Sequence, residues 1–142
     1  MALEIREFTL ADYTGALRLW QSTPGVGLSE ADSLQNIALF LNRNPGSSFV
    51  ALDGNEIVGT ILGGHDGRRG LIHHLTVATT QRRQGLGQKL VRLTLGALKR
   101  AGIQKCHLVM FQDNAEARAF WTRIGAEERV TLALFSIATD RA

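Results

Sequence analysis

Apolar and polar side chains along this chain follow two periods, and the change from one to the other marks the predicted strands and helices. Leu71 to Ala78 is a run of β-branched and apolar residues long enough for a buried strand. The apolar positions that follow recur at helical spacing: Leu86, Leu90, Leu93 and Ala97. Gly102 is a natural stop for this helix. The pattern therefore predicts a strand, a loop and a helix between residues 70 and 102.

The N-terminal part of the chain predicts one strand and two helices. Leu3 to Phe8 alternates between apolar and polar side chains, as a short strand does. Thr9-x-x-Asp12 predicts the start of one helix with Thr9 as its N-cap, and Ser29-x-x-Asp32 predicts the start of another. The apolar faces of these helices are Tyr13, Ala16, Leu17 and Trp20, and Leu34, Ile37, Ala38 and Leu41.

The middle of the chain predicts a hairpin and then a crossover. Ser47 to Leu52 and Glu56 to Gly64 flank the hairpin signal Asp53-Gly54-Asn55. A second turn over residues 65–70 leads into the strand Leu71 to Ala78. Gln104 to Phe111 has the alternation and β-branched content of a fifth strand. Because a helix connects these last two strands, we expect them to be parallel.

The C-terminal part predicts one more helix and one more strand. The helix runs from about Asp113 to Ile124, and Arg129 to Ala138 forms the last strand. Four apolar residues of this helix are expected to be buried together: Ala117, Phe120, Trp121 and Ile124. The predicted order is strand, helix, helix, three strands, helix, strand, helix, strand. The fold class is therefore α/β (α+β), with a mixed central sheet of about six strands and four helices.

Length and composition favour one domain over residues 1–142. A chain of 142 residues with 44% hydrophobic and 20% charged residues suits a single globular domain with its own core. The longest apolar runs fall short of the roughly 20 residues that span a bilayer, and no signal-peptide pattern is present, so we expect a soluble cytoplasmic protein. One cysteine, Cys106, excludes an internal disulfide, and four scattered histidines make no zinc pattern. No metal is expected.

Positive charge is concentrated in one stretch of the chain. The net charge is only +3, yet seven basic residues fall close together: Arg82, Arg83, Lys89, Arg92, Lys99, Arg100 and Lys105. This clustering favours a phosphate-bearing partner. For Lys99, Arg100 and Lys105 a solvated helix face is the alternative interpretation, since their spacing puts them far from the loop.

The loop from Gln81 to Gly87 has the composition of an anion site. Without side chains at Gly85 and Gly87, backbone N–H groups at a helix N-terminus can face a phosphate or pyrophosphate. A Walker loop needs a Gly-Lys-Ser/Thr ending, which is absent. A dinucleotide fingerprint needs a small residue where Leu90 stands and an acidic residue near the position of Lys105. Neither of these two architectures fits.

Two ordered motifs resemble those of the GNAT superfamily of N-acetyltransferases. The first is Arg82-x-x-Gly85-x-Gly87 after a strand with Leu75-x-Val77, which resembles the family's acyl-CoA signature. The second is Asn114-x-x-Ala117-x-x-Phe120-Trp121-x-x-Ile124-Gly125, which resembles the family's asparagine-initiated helix. The glycine pattern of residues 58–70 is similar to that of small bacterial YpeA-type members.

The resemblance implies transfer of an acetyl group from acetyl-CoA to a primary amine by direct attack in a ternary complex. Backbone N–H groups of the loop would hold the pyrophosphate, and the strand would pair with the pantetheine arm. The Leu75 N–H would polarise the thioester oxygen. Asn114 would bond the cofactor arm, cap its helix, or do both. The implied cofactor-binding residues are Leu75, Thr76, Val77, Arg82, Arg83, Gln84, Gly85, Leu86, Gly87, Gln88, Asn114 and Phe120.

A general base is needed because an amine with a pKa near 10 arrives protonated. Many family members place a glutamate two residues before the Leu75 position, where this chain has His73. Imidazole is a competent base near neutral pH. His74 is expected on the other face of the strand if the pleat is regular. The alternative for each histidine is simple packing between strand and helix.

Trp121 is the departure from the family pattern. The resemblance places there the tyrosine that protonates the leaving thiolate, and an indole does not cycle a proton. A missing acid costs roughly 10²–10⁴ in rate without abolishing transfer, because a thiol is a fair leaving group. The chain is therefore predicted to be an enzyme. A catalytically weak or inactive acyl-CoA sensor is the alternative, and nucleic-acid binding is a distant third because aromatic and basic residues are not interleaved.

The acceptor stays open at this stage. In the family the first two helices lie over the acceptor site, which makes Tyr13, Trp20 and residues 25–27 pocket candidates, although Trp20 is better explained as core. The expected partner is an amine-bearing small molecule, protein or peptide, with no nucleic acid and no membrane. The oligomeric state, a homodimer included, is also open.

Overall fold

A computed structural model describes residues 3–141, which form two compact units that divide between Val109 and Met110. The strands of the first unit are β1 (Glu4–Glu7), β2 (Phe49–Asp53), β3 (Glu56–His65), β4 (Gly70–Val77) and β5 (Cys106–Leu108). Its helices are α1 (Tyr13–Gln21), α2 (Leu34–Arg43) and α3 (Leu86–Arg100). The predicted α/β class is confirmed.

One sheet with the order β1-β2-β3-β4-β5 organises the first unit. Its first three pairings are antiparallel, and β4 pairs with β5 in parallel, as predicted. Two neighbouring glycines of β3 show that helices cover both faces. A Cβ on Gly63 would overlap Thr94 of α3, whereas one on Gly64 would overlap Phe40 of α2 and Asn44, which directly follows that helix.

The main core lies between the sheet and the first two helices. It consists of Phe8, Ala16, Trp20, Ile37, Val50, Leu52 and Leu62. Trp20 is almost completely buried, so its interpretation as a core residue is confirmed, and Tyr13 and Val26 pack at the edge of the same cluster. Because these apolar side chains are buried together, α1 and α2 pack stably on the face of the sheet that includes β4.

A β-bulge interrupts β4 near its centre. Thr60 of β3 opposes Thr76, but Leu62, two residues further along β3, opposes His73, so β4 contains one extra residue. His74 has a φ of 50°, in the left-handed region that a residue with a β-carbon rarely adopts. Because Thr60 and Leu62 share one face of β3, His73 and Thr76 lie on that same face of the sheet.

The two parallel strands pair over a short distance. Their last paired residues are Ile72 and Leu108, and β5 covers far less than the predicted span of Gln104 to Phe111. In the part of the chain that the structure describes, the segment His73–Val77 therefore has β3 on one side and no strand on the other. This leaves a free strand edge beside the predicted cofactor site.

At both predicted helix starts the chain first forms a single 3₁₀ turn, and the α-helix begins after it. The turns are Leu10–Asp12 and Glu30–Asp32, and in each the aspartate side chain accepts a hydrogen bond from the N–H of the residue that precedes the turn, Thr9 or Ser29. The α-helices then begin at Tyr13 and Leu34. The Thr9-x-x-Asp12 and Ser29-x-x-Asp32 motifs therefore cap turns that lead into the helices.

The second unit contains α4 (Ala115–Arg123) and a 3₁₀ turn at Thr139–Arg141. The predicted strand Arg129 to Ala138 is wrong: this segment is irregular, and the sheet has five strands instead of six. Its apolar side chains are 64–91% exposed at Val130, Leu132, Leu134, Phe135 and Ile137. The predicted joint burial along α4 is reached only in part: Ala117, Phe120, Trp121 and Ile124 are each half-buried, and none of them is fully buried.

Candidate active site

The loop before α3 presents a row of backbone donors. Gly85 is the N-cap of α3 with a φ of 79°, and Arg83 also lies in the left-handed region with a φ of 66°. Among residues 3–141, the N–H groups from Arg83 to Gln88 donate to no protein acceptor. The first turn of α3 carries no acidic side chain. Aligned donors at a positive helix end can bind an anion such as a pyrophosphate.

Arg82 fixes this loop to the end of β4. Its Nε donates to the carbonyl oxygen of Val77 over 3.0 Å. Leu86, the first residue of α3, is buried and contributes to packing, while Arg83 and Gln84 are exposed. The predicted loop residues therefore lie together: Arg82 and Leu86 anchor the loop, and Arg83 and Gln84 face solvent.

Leu75, Thr76 and Val77 lie on the part of β4 that follows the bulge. Their strand edge is the one left free where β5 ends. An extended ligand can add to such an edge as an extra strand through main-chain hydrogen bonds. The Arg82–Gly87 loop follows this edge in the chain, so the strand edge and the row of backbone donors both belong to the first unit.

His73 packs against α2. Its ring meets the Phe40 ring edge to face at 5.7 Å between centroids. Burial lowers the pKa of His73, and the neighbouring His74 lowers it further, while Asp32 acts in the opposite direction. In the described chain neither of its ring nitrogens has a hydrogen-bond partner. His73 is thus a neutral imidazole without an orienting group.

His74 has a polar partner instead. Its Nε2 lies 2.7 Å from Oδ1 of Asp32, and its ring packs 4.7 Å from the Trp20 ring. The regular pleat that would have turned His74 to the other face does not exist, because the bulge intervenes. Both imidazoles therefore contact the helical layer that contains Trp20 and Phe40.

Asp32 was predicted only as part of a helix start. In the structure its Oδ1 faces His74, its Oδ2 accepts from the Ser29 N–H over 3.0 Å, and its backbone carbonyl accepts from the Tyr13 hydroxyl over 2.7 Å. No local sequence signal links it to His74, which lies 42 residues further along. The capping motif was the one available sign that this carboxylate has a fixed position.

The second unit holds the other predicted site residues, which lie on α4 or directly before it. The Oδ1 of Asn114 accepts from the Ala117 N–H over 3.0 Å, so Asn114 is a helix cap, and its amide nitrogen has no acceptor within residues 3–141. Phe120 and Trp121 meet edge to face at 5.2 Å, and Arg123 lies 5.6 Å above the Phe120 ring. Trp121 is half-buried.

Neither a metal cluster nor a membrane-spanning helix occurs within residues 3–141. No group of three or more histidine, cysteine, aspartate or glutamate side chains there could hold a metal ion. None of the helices in residues 3–141 is long and apolar enough to cross a bilayer.

Comparison with known proteins identifies relatives along most of the chain. The model of the acetyltransferase (GNAT) family matches residues 11–126. An acetyltransferase of Pectobacterium atrosepticum is 32% identical over 112 residues, which are 79% of this chain and 79% of that protein. An acetyltransferase of Photorhabdus laumondii is 30% identical over 131 residues, covering 89% of this chain and 88% of the relative.

Solved structures share the fold. Ard1 from Thermoplasma volcanium superposes with a TM-score of 0.76 at 25% identity, covering 88% of this chain and 82% of Ard1. PaiA N-acetyltransferase from Thermoplasma acidophilum, solved with coenzyme A, gives 0.73 at 17% identity, with 88% and 89% covered. An aminoglycoside acetyltransferase from a soil metagenome, solved with sisomicin, gives 0.73 at 23% identity, with 96% and 97% covered.

Proposed function

The chain belongs to the acetyltransferase (GNAT) family, and we propose that it transfers an acetyl group from acetyl-CoA to a primary amine by direct attack in a ternary complex. The observation that carries this proposal is the row of unpaired N–H groups from Arg83 to Gln88 at the start of α3. Binding of coenzyme A in the complex of the structurally similar PaiA supports the same co-substrate.

The free edge of β4 supports the placement of the rest of acetyl-CoA. Main-chain groups of Leu75 and Val77 would pair with the pantetheine arm, as a strand does. The Leu75 N–H would donate to the thioester oxygen, where negative charge develops as the amine attacks. Arg82, Arg83, Gln84 and Gln88 would flank the pyrophosphate, with Gly85, Leu86 and Gly87 supplying backbone donors.

The family resemblance is the reason to propose Asn114 and Phe120 of the second unit as further cofactor-binding residues. The Oδ1 of Asn114 caps α4, and its amide nitrogen has no acceptor within residues 3–141. The family match covers residues 11–126 and therefore parts of both units, which supports one acetyltransferase domain over residues 1–142.

With Trp121 in place of the family's tyrosine, we expect acetyl transfer to be slower than in family members that have the tyrosine. The leaving thiolate of coenzyme A would depart without a protein acid, because the indole N–H does not cycle a proton. This residue also motivates the second candidate function, an acyl-CoA sensor that binds without turnover. The acceptor is proposed to be an amine-bearing small molecule or peptide, for which the sisomicin complex of the soil acetyltransferase is a precedent in this fold.

Turnover and binding measured together test the proposal. Acetyl-CoA would be incubated with sisomicin, spermidine, lysine amide and a peptide with a free N-terminus, and released thiol would be detected. Burial raises the pKa of Cys106 to about 11, so the protein's own thiol adds little background. We expect thiol release with at least one amine. Calorimetric binding of coenzyme A without turnover would favour the sensor, and absence of binding would overturn both functions.

A further inference from the structure

We propose that His74, held by Asp32, is the group that removes the proton from the acceptor amine. This inference rests on the proposed function and names the residue that activates its nucleophile. It is carried by the 2.7 Å contact between His74 Nε2 and Asp32 Oδ1, two side chains only 14% and 13% exposed.

The carboxylate determines which imidazole nitrogen is basic. An ionised aspartate only accepts hydrogen bonds, so the contact requires the proton of neutral His74 to sit on Nε2. The lone pair then lies on Nδ1. In the described residues Nδ1 has no hydrogen-bond partner, and no completely buried side-chain nitrogen or oxygen there lacks one, so the Nδ1 lone pair is unpaired and is not completely buried. A base needs this combination of a fixed ring and an open lone pair.

The protein holds both members of the pair from several sides. The Asp32 carboxylate is fixed by the Ser29 N–H, and its backbone by the Tyr13 hydroxyl. The His74 carbonyl accepts from the Thr60 hydroxyl over 2.8 Å, and the ring rests on Trp20. His74 also has the left-handed φ of 50°. A strained residue held by so many contacts is typical of functional sites.

The bulge puts this pair next to the proposed acyl position. His74 directly precedes Leu75, whose N–H is proposed to polarise the thioester, and the bulge turns His74 to the α1–α2 side. His73 lies on the same side but has neither a carboxylate partner nor any other hydrogen bond in the described chain. Of the two histidines, His74 is the one with the geometry of an oriented base.

The proton balance is simple. The ammonium form of the acceptor gives one proton to Nδ1 of His74, which becomes an imidazolium stabilised by Asp32. The Nδ1 proton leaves to solvent and the neutral imidazole is restored. The free amine attacks the thioester carbon, a C–N bond forms, and the C–S bond breaks to release the coenzyme A thiolate. The attacking nitrogen loses its second proton to Nδ1 as the amide forms, and that proton passes to the thiolate through water, so one ammonium and one thioester give one amide, one thiol and one proton in solvent.

Paired substitutions separate the two histidines. His74→Gln keeps an N–H that can reach Asp32 but has no basic lone pair, so we expect kcat to fall about 100-fold or more. His73→Gln is the matched control at the neighbouring position and is expected to change kcat by less than about fivefold. Coenzyme A affinity by calorimetry and the thermal midpoint would be measured for each variant, so that unfolding is recognised.

Asp32 is a positioning residue. Asp12, in the 3₁₀ turn Leu10–Asp12, offers a matched control for its substitution. Asp12 accepts the Thr9 N–H as Asp32 accepts that of Ser29, but it pairs with Arg6 at 2.8 Å. We expect Asp32→Asn to lower kcat about tenfold, and Asp12→Asn to lower stability without a matching loss in kcat. When His74→Gln is already present, adding Asp32→Asn should lower kcat no further.

The division of the effect between kcat and KM gives an independent readout. Asp32 contacts His74 from the turn before α2, while α1 presents Trp20 to the same ring. Because Asp32 is proposed to act only through His74, Asp32→Asn should lower kcat and leave KM for acetyl-CoA unchanged. A change in KM for acetyl-CoA as large as the change in kcat would contradict the role of Asp32.

The outcomes distinguish this inference from the function on which it rests. A parent chain that turns over, with His74→Gln as active as the parent or with equal losses from both histidines, would overturn the inference alone. Absence of turnover by the parent with every amine tested would overturn the proposed catalytic function and the inference with it.

Discussion

The indole nitrogen of Trp20 donates to the hydroxyl oxygen of Thr60 over 2.9 Å, and both residues are almost completely buried. The same hydroxyl donates to the carbonyl oxygen of His74 over 2.8 Å. A single threonine therefore joins the main core to the bulge of β4, where the proposed base and the thioester-polarising N–H lie.

Thr60→Val should weaken both the fold and the site. The substitution leaves a buried indole N–H unpaired and removes the shorter of the two hydroxyl hydrogen bonds to the His74 carbonyl, the other coming from Thr76, so we expect a loss of about 1–3 kcal/mol in the free energy of unfolding. Turnover should fall as well, because the bulge loses an anchor. Chemical denaturation and steady-state kinetics on the same preparations measure the two effects.

Thr94→Val is the matched control. Thr94 is equally buried, on α3, and donates to the Ser47 carbonyl over 3.0 Å, away from the bulge. The Thr94→Val variant should have a lower free energy of unfolding than the parent, while its kcat stays near that of the parent at a temperature where both are folded. Equal losses of kcat in the two variants would show that Thr60 has no specific connection to the site.

His73 predicts a pH dependence of stability. Burial lowers its pKa in the folded chain below the ordinary value of 6.5, so the unfolded chain binds the proton more readily. The contribution of neutral, buried His73 to the free energy of unfolding is fully present above pH 6.5. It is lost as the pH falls from 6.5 through the lowered pKa of the folded chain, because the unfolded chain takes up the proton first. We expect His73→Gln to reduce the fall in unfolding free energy between about pH 8 and about pH 5. An identical fall in parent and variant would contradict the burial argument.

Trp121→Tyr should raise turnover if the leaving thiolate lacks only a proton donor. A rise of roughly tenfold or more is expected, although replacing the indole with a phenol removes volume and costs about 1 kcal/mol of stability. Trp121→Phe removes similar volume without supplying a hydroxyl and should show no rise. A variant that stays folded at the assay temperature, binds coenzyme A and gains nothing would favour the sensor.

Local patterns predicted most of the elements in the first unit. The hairpin at Asp53-Gly54-Asn55, the strand before the glycine loop and the helix from Leu86 depend on turn chemistry and periodicity within a few residues, and all are present. The segment Arg129 to Ala138 carries an equally good strand pattern and forms no strand. A strand also needs a neighbouring edge to pair with, which alternation alone does not reveal.

The candidate site shows the same division. The loop and its helix N-terminus could be read from Gly85 and Gly87 because backbone conformation and spacing determine them. The contact of His74 with Asp32 could not, because it depends on a bulge that only the pairing of β4 with β3 defines, and on a turn 42 residues earlier. Sequence reasoning therefore predicted the conformation of the loop but not the contact of His74 with Asp32.

The most direct test of the central claim is calorimetric titration of coenzyme A into the parent chain, Gly87→Asp and Gly96→Asp. Gly87 and Gly96 both lie on α3 and are both half-buried, so the same substitution is made at the proposed pyrophosphate site and away from it. Aspartate in the first turn favours the helix dipole, so Gly87→Asp should stay folded while its charge and bulk repel the diphosphate. We predict dissociation constants on the order of micromolar for the parent and Gly96→Asp, and binding weakened at least about tenfold in Gly87→Asp. An unchanged dissociation constant in folded Gly87→Asp would contradict the account.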